Sequence, residues 1–239
     1  MTDRAAPAVQ TFTTGTDWAD ACATLLADTL NQALSETGRA TFAGSGGSTP
    51  APIYARMAQA DLDWSRIAAT LIDERYVPET SPESNAALLK RTLLTGAAAA
   101  ASFVPLYHAE VTVDRAAARA AQALAPHGRL DAVLLGMGED GHICSMFPYS
   151  PTLKTLLSPK LKPTVLGVPQ GRDGLAPSLE RLSINLPYLI QARRVVLALT
   201  GTTKRDVFDR EAGGDPATQP IAALIGAKVP LDVMWTEKA

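Results

Sequence analysis

The sequence predicts an α/β fold in which a mainly parallel sheet is covered by helices on both faces. Helical and strand patterns alternate along the whole chain, and such alternation implies right-handed βαβ units and a parallel sheet. The 239 residues contain no internal repeat and no long linker. A chain of this length buries a sufficient core without metal or disulfide cross-links. We therefore expect one domain over residues 1–239, with room for a small lobe.

The helices are predicted from apolar stripes and from residues that favour helix starts. An apolar stripe at helical spacing predicts the opening helix over residues 17–35. Pro50 favours the start of the next helix, since proline is tolerated in a first turn and Ser48 or Thr49 can be its N-cap. The remaining helices are expected over residues 82–94 with Ser81 as N-cap, 114–124 and 203–211.

The strands are predicted from short apolar runs bounded by turn residues. In chain order they are expected over residues 39–43, 67–72, 103–106, 130–135, 164–168, 181–185, 194–199 and 231–235. The region 159–177 is rich in proline and glycine, which favours a loop-rich flap or insertion there.

Charge and hydropathy exclude several classes of function. Charged residues make up 19% of the chain and apolar residues 46%, with a net charge of −2, so the chain has the composition of a globular protein and no basic field for a nucleic-acid backbone. The longest uncharged stretch, residues 92–109, is too weakly apolar to span a bilayer. The N-terminal residues lack the apolar core of a signal peptide. We expect a soluble, cytoplasmic protein that binds neither nucleic acid nor membrane.

The two cysteines, Cys22 and Cys144, lie far apart and form no C-x-x-C pair. Buried thiols in a reducing compartment are therefore expected rather than a disulfide. Nothing like a coiled coil or a long exposed apolar stripe indicates obligate assembly, so we expect a monomer or a weak homo-oligomer.

Four segments with unusual residue types follow predicted strands, and ligands of open α/β sheets bind at the carboxyl ends of the strands. The first is GSGGSTP, residues 44–50. Its glycines, Gly46 and Gly47 among them, let backbone N–H groups approach an anion, with Ser48 beside them. No lysine follows as in a P-loop. The alternative is a tight strand-to-helix turn without a ligand.

The second segment, Asp73, Glu74 and Arg75, follows the buried strand predicted over 67–72. An arginine fork suits a phosphate or a carboxylate, and the neighbouring Asp73 can orient it or a catalytic imidazole. A solvated charge cluster at the end of a strand is the alternative. Asn85 adds a polar group to this segment, or simply lies on a helix surface.

The third segment is GMGEDGHICSMFP, residues 136–148, in which His142 follows Asp140 by two positions. One histidine with a carboxylate so close is a candidate general base, although a lone loop histidine can also be structural. The segment also spells the dinucleotide fingerprint G-x-G-x-x-G. We reject that interpretation because the acidic residue expected about twenty positions later is absent; the next acid is Asp173.

The fourth segment is TGTTK, residues 200–204, after the next strand. Small residues with Lys204 at a strand-to-helix turn suit a phosphoryl group, unless the lysine is a helix-surface residue, and Arg181 can join it. No second cluster completes a metal site with His142 and Cys144, so no metal is expected. Together the segments place cations, glycine-rich anion cradles and one imidazole at strand ends. That combination indicates acid–base chemistry on a phosphorylated small molecule.

The chain resembles the 6-phosphogluconolactonases of the glucosamine-6-phosphate isomerase/6-phosphogluconolactonase family in five ordered motifs: SGGSTP, DERYVP with SPESN, LLGMGEDGHICSMFP, RLSINLPYLIQARRVV and TGTTK. The match runs over about residues 41–235. In the second motif, related deaminases usually carry DEY, whereas this chain has DER, with Arg75 at the third position. The resemblance implies a Rossmann-like parallel sheet with a small extra lobe, as in those deaminases, ribose-5-phosphate isomerase and coenzyme A transferases. It also implies hydrolysis of 6-phospho-D-glucono-1,5-lactone without a cofactor.

The resemblance further implies roles for single residues. His142 matches the family's general base, and Asp73 matches a carboxylate proposed to orient the site. Arg181 falls near a family arginine, although APSLE replaces the proline run that usually precedes it. The predicted substrate- and phosphate-binding residues are Gly46, Gly47, Ser48, Arg75, Asp140, Arg181 and Lys204.

Two alternatives stay open at this point. An aldose–ketose isomerase or aminosugar deaminase can use the same imidazole to open a sugar ring. A non-catalytic sugar-phosphate sensor needs only the binding groups, although no helix-turn-helix or basic patch supports it.

Overall fold

The structure, a computed structural model, describes residues 7–110, 112–171 and 177–238. Its larger sheet has seven strands, and its paired strands all run parallel. In spatial order they are β1 (Val9–Phe12), β10 (Leu231–Thr236), β9 (Arg194–Thr200), β6 (Ala132–Leu135), β2 (Ala40–Gly44), β3 (Ile67–Leu71) and β5 (Ser102–Phe103). The α/β fold with a mainly parallel sheet, predicted from the sequence, is confirmed.

Helices cover both faces of this sheet. Every residue of β2, β3 and β6 is buried, and because successive side chains of a strand point to opposite faces, both faces need a covering layer. The α-helices of the described residues are α1 (Gly15–Thr37), α2 (Ala51–Met57), α3 (Asn85–Thr92), α4 (Val113–Leu124), α5 (Leu153–Leu156), α6 (Leu186–Ile190), α7 (Thr202–Glu211) and α8 (Pro220–Gly226). Single 3-10 turns lie at Trp64–Arg66, Gly96–Ala100 and Ala125–His127.

A second, antiparallel sheet of three strands forms the small lobe. Its strands, in spatial order, are β4 (Asp73–Arg75), β8 (Arg181–Ile184) and β7 (Val165–Val168). The strands predicted over 164–168 and 181–185 therefore exist, and they belong to this small sheet and not to the large parallel one. Strand β7 also lies inside the region expected to be a loop-rich flap, of which residues 172–176 fall outside the described part of the chain.

The two sheets are joined at one residue, Ile72, between β3 and β4. The Ile72 N–H donates to the carbonyl of Gly44 at 2.9 Å, and the Ile72 carbonyl accepts from the N–H of Ile184 at 3.0 Å. The backbone of Ile72 is thus hydrogen-bonded both to the large sheet and to the small one. The charged trio after β3 forms the whole of β4 and is largely buried, so the alternative interpretation of a solvated charge cluster at a strand end is wrong.

One predicted helix start and two predicted helix caps were wrong. Helix α3 begins at Asn85, and its N-cap is Ser84, whose hydroxyl accepts from the Ala87 N–H at 3.2 Å. The predicted cap, Ser81, instead accepts from the Glu83 N–H within the preceding loop. Helix α2 begins after Pro50, and its N-terminus has no side-chain cap, so the expected Ser48 or Thr49 cap is wrong.

Short elements without a strong apolar pattern escaped the sequence prediction. In edge strand β1 the two end residues are partly buried and the two middle residues are exposed. Helices α5, α6 and α8 are each at most seven residues long. Among the described helices, none is long and apolar enough to cross a membrane.

The strand order places a topological switch point between β2 and β6. From β2 the chain proceeds outward to β3 and β5, whereas later strands β9 and β10 lie beyond β6 on the opposite side. Neighbouring strands whose connections run in opposite directions leave a crevice at their carboxyl ends, where α/β proteins bind ligands. That crevice is where the candidate site lies.

Candidate active site

A cavity of about 210 Å³ lies at the carboxyl ends of β2, β3, β6 and β9. Its wall combines two glycine-containing loops, one imidazole, one carboxylate and three cations: Ser45, Gly46, Gly47, Ser48, Thr49, Ile72, Asp73, Arg75, Asn85, Gly136, Met137, Gly138, His142, Cys144, Arg181 and Lys204. All the predicted site residues except Asp140 line this one cavity. A larger groove of about 640 Å³ between α1 and α2 contains none of them.

His142 is held at the end of a tight turn that follows β6. The Gly138 N–H donates to the His142 carbonyl at 2.9 Å, and Gly141 has a φ of 86°, which favours glycine. A Cβ on Gly138 would lie 2.3 Å from the imidazole Nδ1, so only glycine leaves room for this ring. The next helix, α5, starts at Leu153, and the turn is therefore not a dinucleotide-binding turn, which would open a helix directly.

The imidazole of His142 has one occupied and one free nitrogen. Its Nδ1 lies 2.5 Å from Asp140 Oδ1, and because a carboxylate only accepts, Nδ1 carries the hydrogen. Its Nε2 has no hydrogen-bond partner among the described residues. The ring stacks on Phe147, with 4.5 Å between centroids. A neutral imidazole with Nε2 open is arranged to accept a proton.

Asp140 stands behind the imidazole and not on the cavity wall. Burial by itself raises the pKa of Asp140, but the hydrogen bond and the charge of His142 outweigh it and lower that pKa below the usual value. In this structure Asp140 contacts His142, and its contact with substrate stays a prediction.

Asp73 is the single acid on the cavity wall, among the described residues, and it is 5% exposed. Its Oδ2 accepts from the Ser145 hydroxyl at 2.6 Å and lies 3.6 Å from Arg181 Nη1. The Asn85 amide donates to the Asp73 carbonyl at 3.0 Å. Asp73 thus orients Arg181 and Asn85, and the structure gives it no direct contact with His142.

Arg75 and Arg181 face each other across the antiparallel pair β4–β8. The Nε of each is buried without a hydrogen-bond partner in the described part of the chain. Arg75 is steadied by the carbonyl of Glu83, to which its Nη1 donates at 2.6 Å. Burial has the largest effect on the Arg181 guanidinium and lowers its pKa. The charge of Arg75 lowers this pKa further, while the charge of Asp73 opposes both effects. Two adjacent guanidinium groups with unused donors suit an anion such as phosphate.

Lys204 completes the cationic wall from the first turn of α7. Its Nζ lies 3.5 Å from the hydroxyl of Thr49, at the edge of the glycine loop after β2. The cavity wall therefore carries Arg75, Arg181 and Lys204 against Asp73 alone. This excess of positive charge favours an anionic ligand.

The glycine loop after β2 fits closely against Asn85. A Cβ on Gly46 would lie 1.8 Å from Asn85 Oδ1, while Gly47 has a φ of 86° and no neighbour within 4 Å of a Cβ position. Ser48, beside it, is exposed. Gly46 is therefore required by packing, and Gly47 by its backbone conformation.

Sequence reasoning missed several residues of the site. Asn85, for which a helix surface was an open interpretation, is 3% exposed and lines the cavity. Ser45, Phe147 and Cys144 lie in recognised motifs, but no spacing rule distinguishes their side chains from those of their neighbours. Their importance becomes visible only when the loops after β2 and β6 are brought together.

The two other histidines of the chain, His108 and His127, do not line the cavity. Cys22 and Cys144 are both buried and unpaired, as expected. In the described ranges, no group of three or more His, Cys, Asp or Glu side chains has the arrangement of a metal site.

The sequence comparisons agree with one another. The family model described as glucosamine-6-phosphate isomerases/6-phosphogluconolactonase matches residues 13–235. A 6-phosphogluconolactonase of Caulobacter vibrioides is 38% identical over 229 residues, which cover 96% of this chain and 97% of the relative. A 6-phosphogluconolactonase of Mesorhizobium japonicum is 39% identical over 88% of this chain and 87% of its own.

Solved structures show the same fold. The crystal structure of a 6-phosphogluconolactonase from Shewanella baltica superposes with a TM-score of 0.86 at 32% identity, over 95% of this chain and 97% of its own. A monomeric glucosamine-6-phosphate deaminase superposes with a TM-score of 0.75 over 96% of this chain and 97% of its own. At 15% identity, the likeness to the deaminase shows the shared fold alone.

Proposed function

The chain belongs to the glucosamine-6-phosphate isomerase/6-phosphogluconolactonase family, and we propose that its cavity hydrolyses 6-phospho-D-glucono-1,5-lactone with His142 as the general base. The enzyme is a carboxylic ester hydrolase that produces 6-phosphogluconate. Its reaction is the second step of the oxidative pentose phosphate pathway.

The proposed reaction begins with proton transfer to His142. Its free Nε2 takes a proton from a water molecule while the water oxygen forms a bond to the lactone carbonyl carbon. Asp140, bonded to Nδ1, holds the ring in the required tautomer and stabilises the imidazolium that forms. A positioned general base is worth about 10²–10⁴-fold in rate.

The second half of the reaction opens the sugar ring. The tetrahedral intermediate collapses, the bond between the carbonyl carbon and the ring oxygen breaks, and the imidazolium returns the proton to that oxygen. The products are a hydroxyl group and a carboxylic acid, which loses its proton to solvent to give the carboxylate. Protein side chains supply every proton transfer in this scheme, so we propose that the reaction needs no cofactor.

The three cations of the cavity wall are proposed to hold the 6-phosphate. Arg75 and Arg181 offer unused guanidinium donors from the small sheet, and Lys204 adds a charge from the opposite loop. Binding energy at the phosphate fixes the carbonyl near the imidazole. Positioning of this kind supplies a large part of the rate enhancement of a reaction whose substrate is already reactive.

The observation that carries this proposal is the placement of one imidazole with a free Nε2 in the same cavity as three cations. We further propose that the enzyme is cytoplasmic and acts as a monomer or weak homo-oligomer. Its two buried free thiols are compatible with a reducing compartment.

The test is a lactone hydrolysis assay at fixed pH, corrected for the spontaneous reaction, on the parent and His142→Ala. We expect the variant to lose about 10²-fold or more of kcat and to bind 6-phosphogluconate with unchanged affinity by calorimetry. His127→Ala, outside the cavity, is the matched control and should keep full activity.

Near-parental turnover by His142→Ala would show that His142 is not the base. Ammonia release from glucosamine 6-phosphate, measured in parallel, separates this proposal from a deaminase, since a lactonase should release none.

A further inference from the structure

Ser45 is a buried residue of the cavity wall whose hydroxyl has no role in the mechanism so far. It directly follows β2, is 4% exposed and lines the cavity. Its Oγ is shielded from solvent and has no hydrogen-bond partner in the described part of the chain. Buried hydroxyls normally find partners, because an unmade hydrogen bond costs free energy. The fold therefore retains this donor against its own stability.

The hydroxyl of Ser45 and the imidazole of His142 lie beside the same short segment. A Cβ on Gly136 would be 3.7 Å from Ser45 Oγ, and a Cβ on Gly138 would be 2.3 Å from His142 Nδ1. Two residues of extended chain span at most about 7 Å. The Ser45 hydroxyl and the His142 imidazole therefore lie on the same part of the cavity wall.

The backbone of Ser45 is fixed from behind. The hydroxyl of Tyr54 donates to the Ser45 carbonyl at 2.6 Å. Tyr54 is fully buried, and this burial raises its pKa, so the hydroxyl keeps its proton. The backbone of Ser45 consequently cannot move away from the cavity without breaking a buried hydrogen bond.

Three other polar side chains of the cavity wall already have partners. The Asp73 carboxylate accepts from Ser145, the Asn85 amide donates to the Asp73 carbonyl, and Lys204 approaches Thr49. Ser45 is thus a neutral donor without a partner in the described part of the chain, and its backbone is held by Tyr54. Such a donor suits a place where negative charge develops during the reaction, because no existing bond must break to receive it.

We propose that the Ser45 hydroxyl donates a hydrogen bond to the lactone carbonyl oxygen as that oxygen becomes an oxyanion. This inference rests on the proposed lactonase function. Ser45 keeps its proton throughout; the proton of the attacking water goes to His142 Nε2 and later to the ring oxygen. Ser45 is therefore a catalytic residue that stabilises charge and takes no part in proton transfer.

The test compares Ser45→Ala with Thr70→Val in the lactone assay and in thermal unfolding. We expect Ser45→Ala to lower kcat and kcat/KM together by about 10²-fold, because the bond is made only in the transition state. Its melting temperature should be unchanged or higher, since no existing hydrogen bond is lost. Ser45→Cys, with a similar shape and a weaker donor, should fall between the parent and Ser45→Ala.

Thr70→Val is the matched control for loss of a buried hydroxyl. Thr70 is fully buried in β3, its hydroxyl donates to the Val104 carbonyl at 2.8 Å, and it does not line the cavity. This variant should lower the melting temperature and keep the parental kcat, which is the opposite of the result expected for Ser45→Ala.

Three results would overturn the proposal. Ser45→Ala could keep kcat within about threefold of the parent, it could raise KM at a parental kcat, or it could lose activity together with a drop in melting temperature like that of Thr70→Val. If the parent itself fails to accelerate lactone hydrolysis, the proposed function is wrong and this inference falls with it. A fully active parent beside a fully active Ser45→Ala removes only the role of Ser45.

Discussion

At the scale of single residues, the site is built from side chains that use one atom for anchoring and offer another to the cavity. His142 gives Nδ1 to Asp140 and leaves Nε2 open. Arg75 gives Nη1 to the Glu83 carbonyl and keeps an unused Nε. A side chain anchored at one end loses little further freedom when it binds. The geometry is therefore largely set before substrate arrives.

Asp140→Asn tests whether the anchored nitrogen sets the reactivity of the free one. An asparagine can present its amide N–H to Nδ1, which would place the hydrogen on Nε2 and block acceptance of a proton. We expect kcat to fall by about 10²-fold, within the range that a positioned base contributes, and KM to change little. Steady-state kinetics of lactone hydrolysis measures both.

Glu139→Gln is the control for Asp140→Asn, because it removes the same charge from an exposed neighbour and should keep the parental kcat. Equal losses of kcat in the two variants would mean that net charge, and not the contact with Nδ1, is responsible.

The lowered pKa of Asp140 also predicts a pH dependence of folding stability. The contribution of Asp140 to stability is present above the usual aspartate pKa. That contribution should disappear as the pH falls through the lowered value.

At the scale of elements, the strand β4 and the start of α3 are connected through one buried carboxylate. Glu74 is fully buried, and its Oε1 accepts from the N–H groups of Arg75 and Asn85, both at 2.8 Å. Its Oε2 accepts from the Ala86 N–H at 2.8 Å and the Ser84 hydroxyl at 3.1 Å. This carboxylate therefore fixes where α3 begins, and with it the place of Asn85 in the cavity.

Glu74→Gln should lower the free energy of unfolding by about 1–3 kcal/mol, because its amide group faces donors that then lack an acceptor. The displaced start of α3 should also lower kcat/KM. Chemical denaturation and the lactone assay measure the two effects. Glu79→Gln, in the loop between β4 and α3 and half-exposed, is the control and should be close to the parent in both.

The stability difference should also depend on pH. Burial raises the pKa of Glu74 above the usual value, against the hydrogen bonds that lower it. The folded parent then holds this proton more tightly than the unfolded chain, so its stability falls as the pH rises from the usual glutamate pKa to the raised one. The stability of Glu74→Gln lacks this pH dependence. The difference in the free energy of unfolding between parent and variant should therefore narrow as the pH rises between the usual and the raised pKa of Glu74. A gap that widens with pH would contradict the assignment.

The elements differed in how far the sequence could predict them. The chemistry-bearing loops after β2, β3, β6 and β9 were predictable, because strongly apolar strands end at glycine or charged residues and parallel strands end together. The antiparallel pairing of β4 with β8 was not, since a three-residue strand has no period of its own. The start of α3 and the burial of Asn85 depend on Glu74, which is ten or more positions away in the sequence.

At the scale of the whole molecule, one hydrophobic core connects the two sheets. The same cluster of buried residues includes Leu197 at the centre of the large sheet and Leu182 and Ile184 of the small sheet. Helix α4 packs against both β7 and β8. We therefore expect the described residues to unfold as one cooperative unit, in line with the single domain proposed from the sequence.

Leu197→Ala tests this cooperativity. Leu197 is fully buried, and truncating such a side chain costs about 2–5 kcal/mol. Hydrogen exchange should report the same loss of protection for slowly exchanging amides of β9 and of β8. Leu161→Ala, at a side chain 37% exposed, is the control and should have little effect. Unchanged protection in β8 alone would mean that the small sheet unfolds independently.

The backbone of Ile72, hydrogen-bonded to both sheets, has a consequence for selectivity. In the proposed reaction the small sheet carries Arg75 and Arg181, whereas His142 and Lys204 lie in segments that follow strands of the large sheet. The junction at Ile72 therefore fixes the distance between the two arginines and the imidazole. The cavity then selects a substrate by the distance between its phosphate and its carbonyl carbon. If a phosphorylated lactone one carbon shorter were bound by the same cations, its carbonyl carbon would not reach the imidazole. We therefore expect the enzyme to discriminate by the length of its substrate more strictly than by the pattern of its hydroxyl groups.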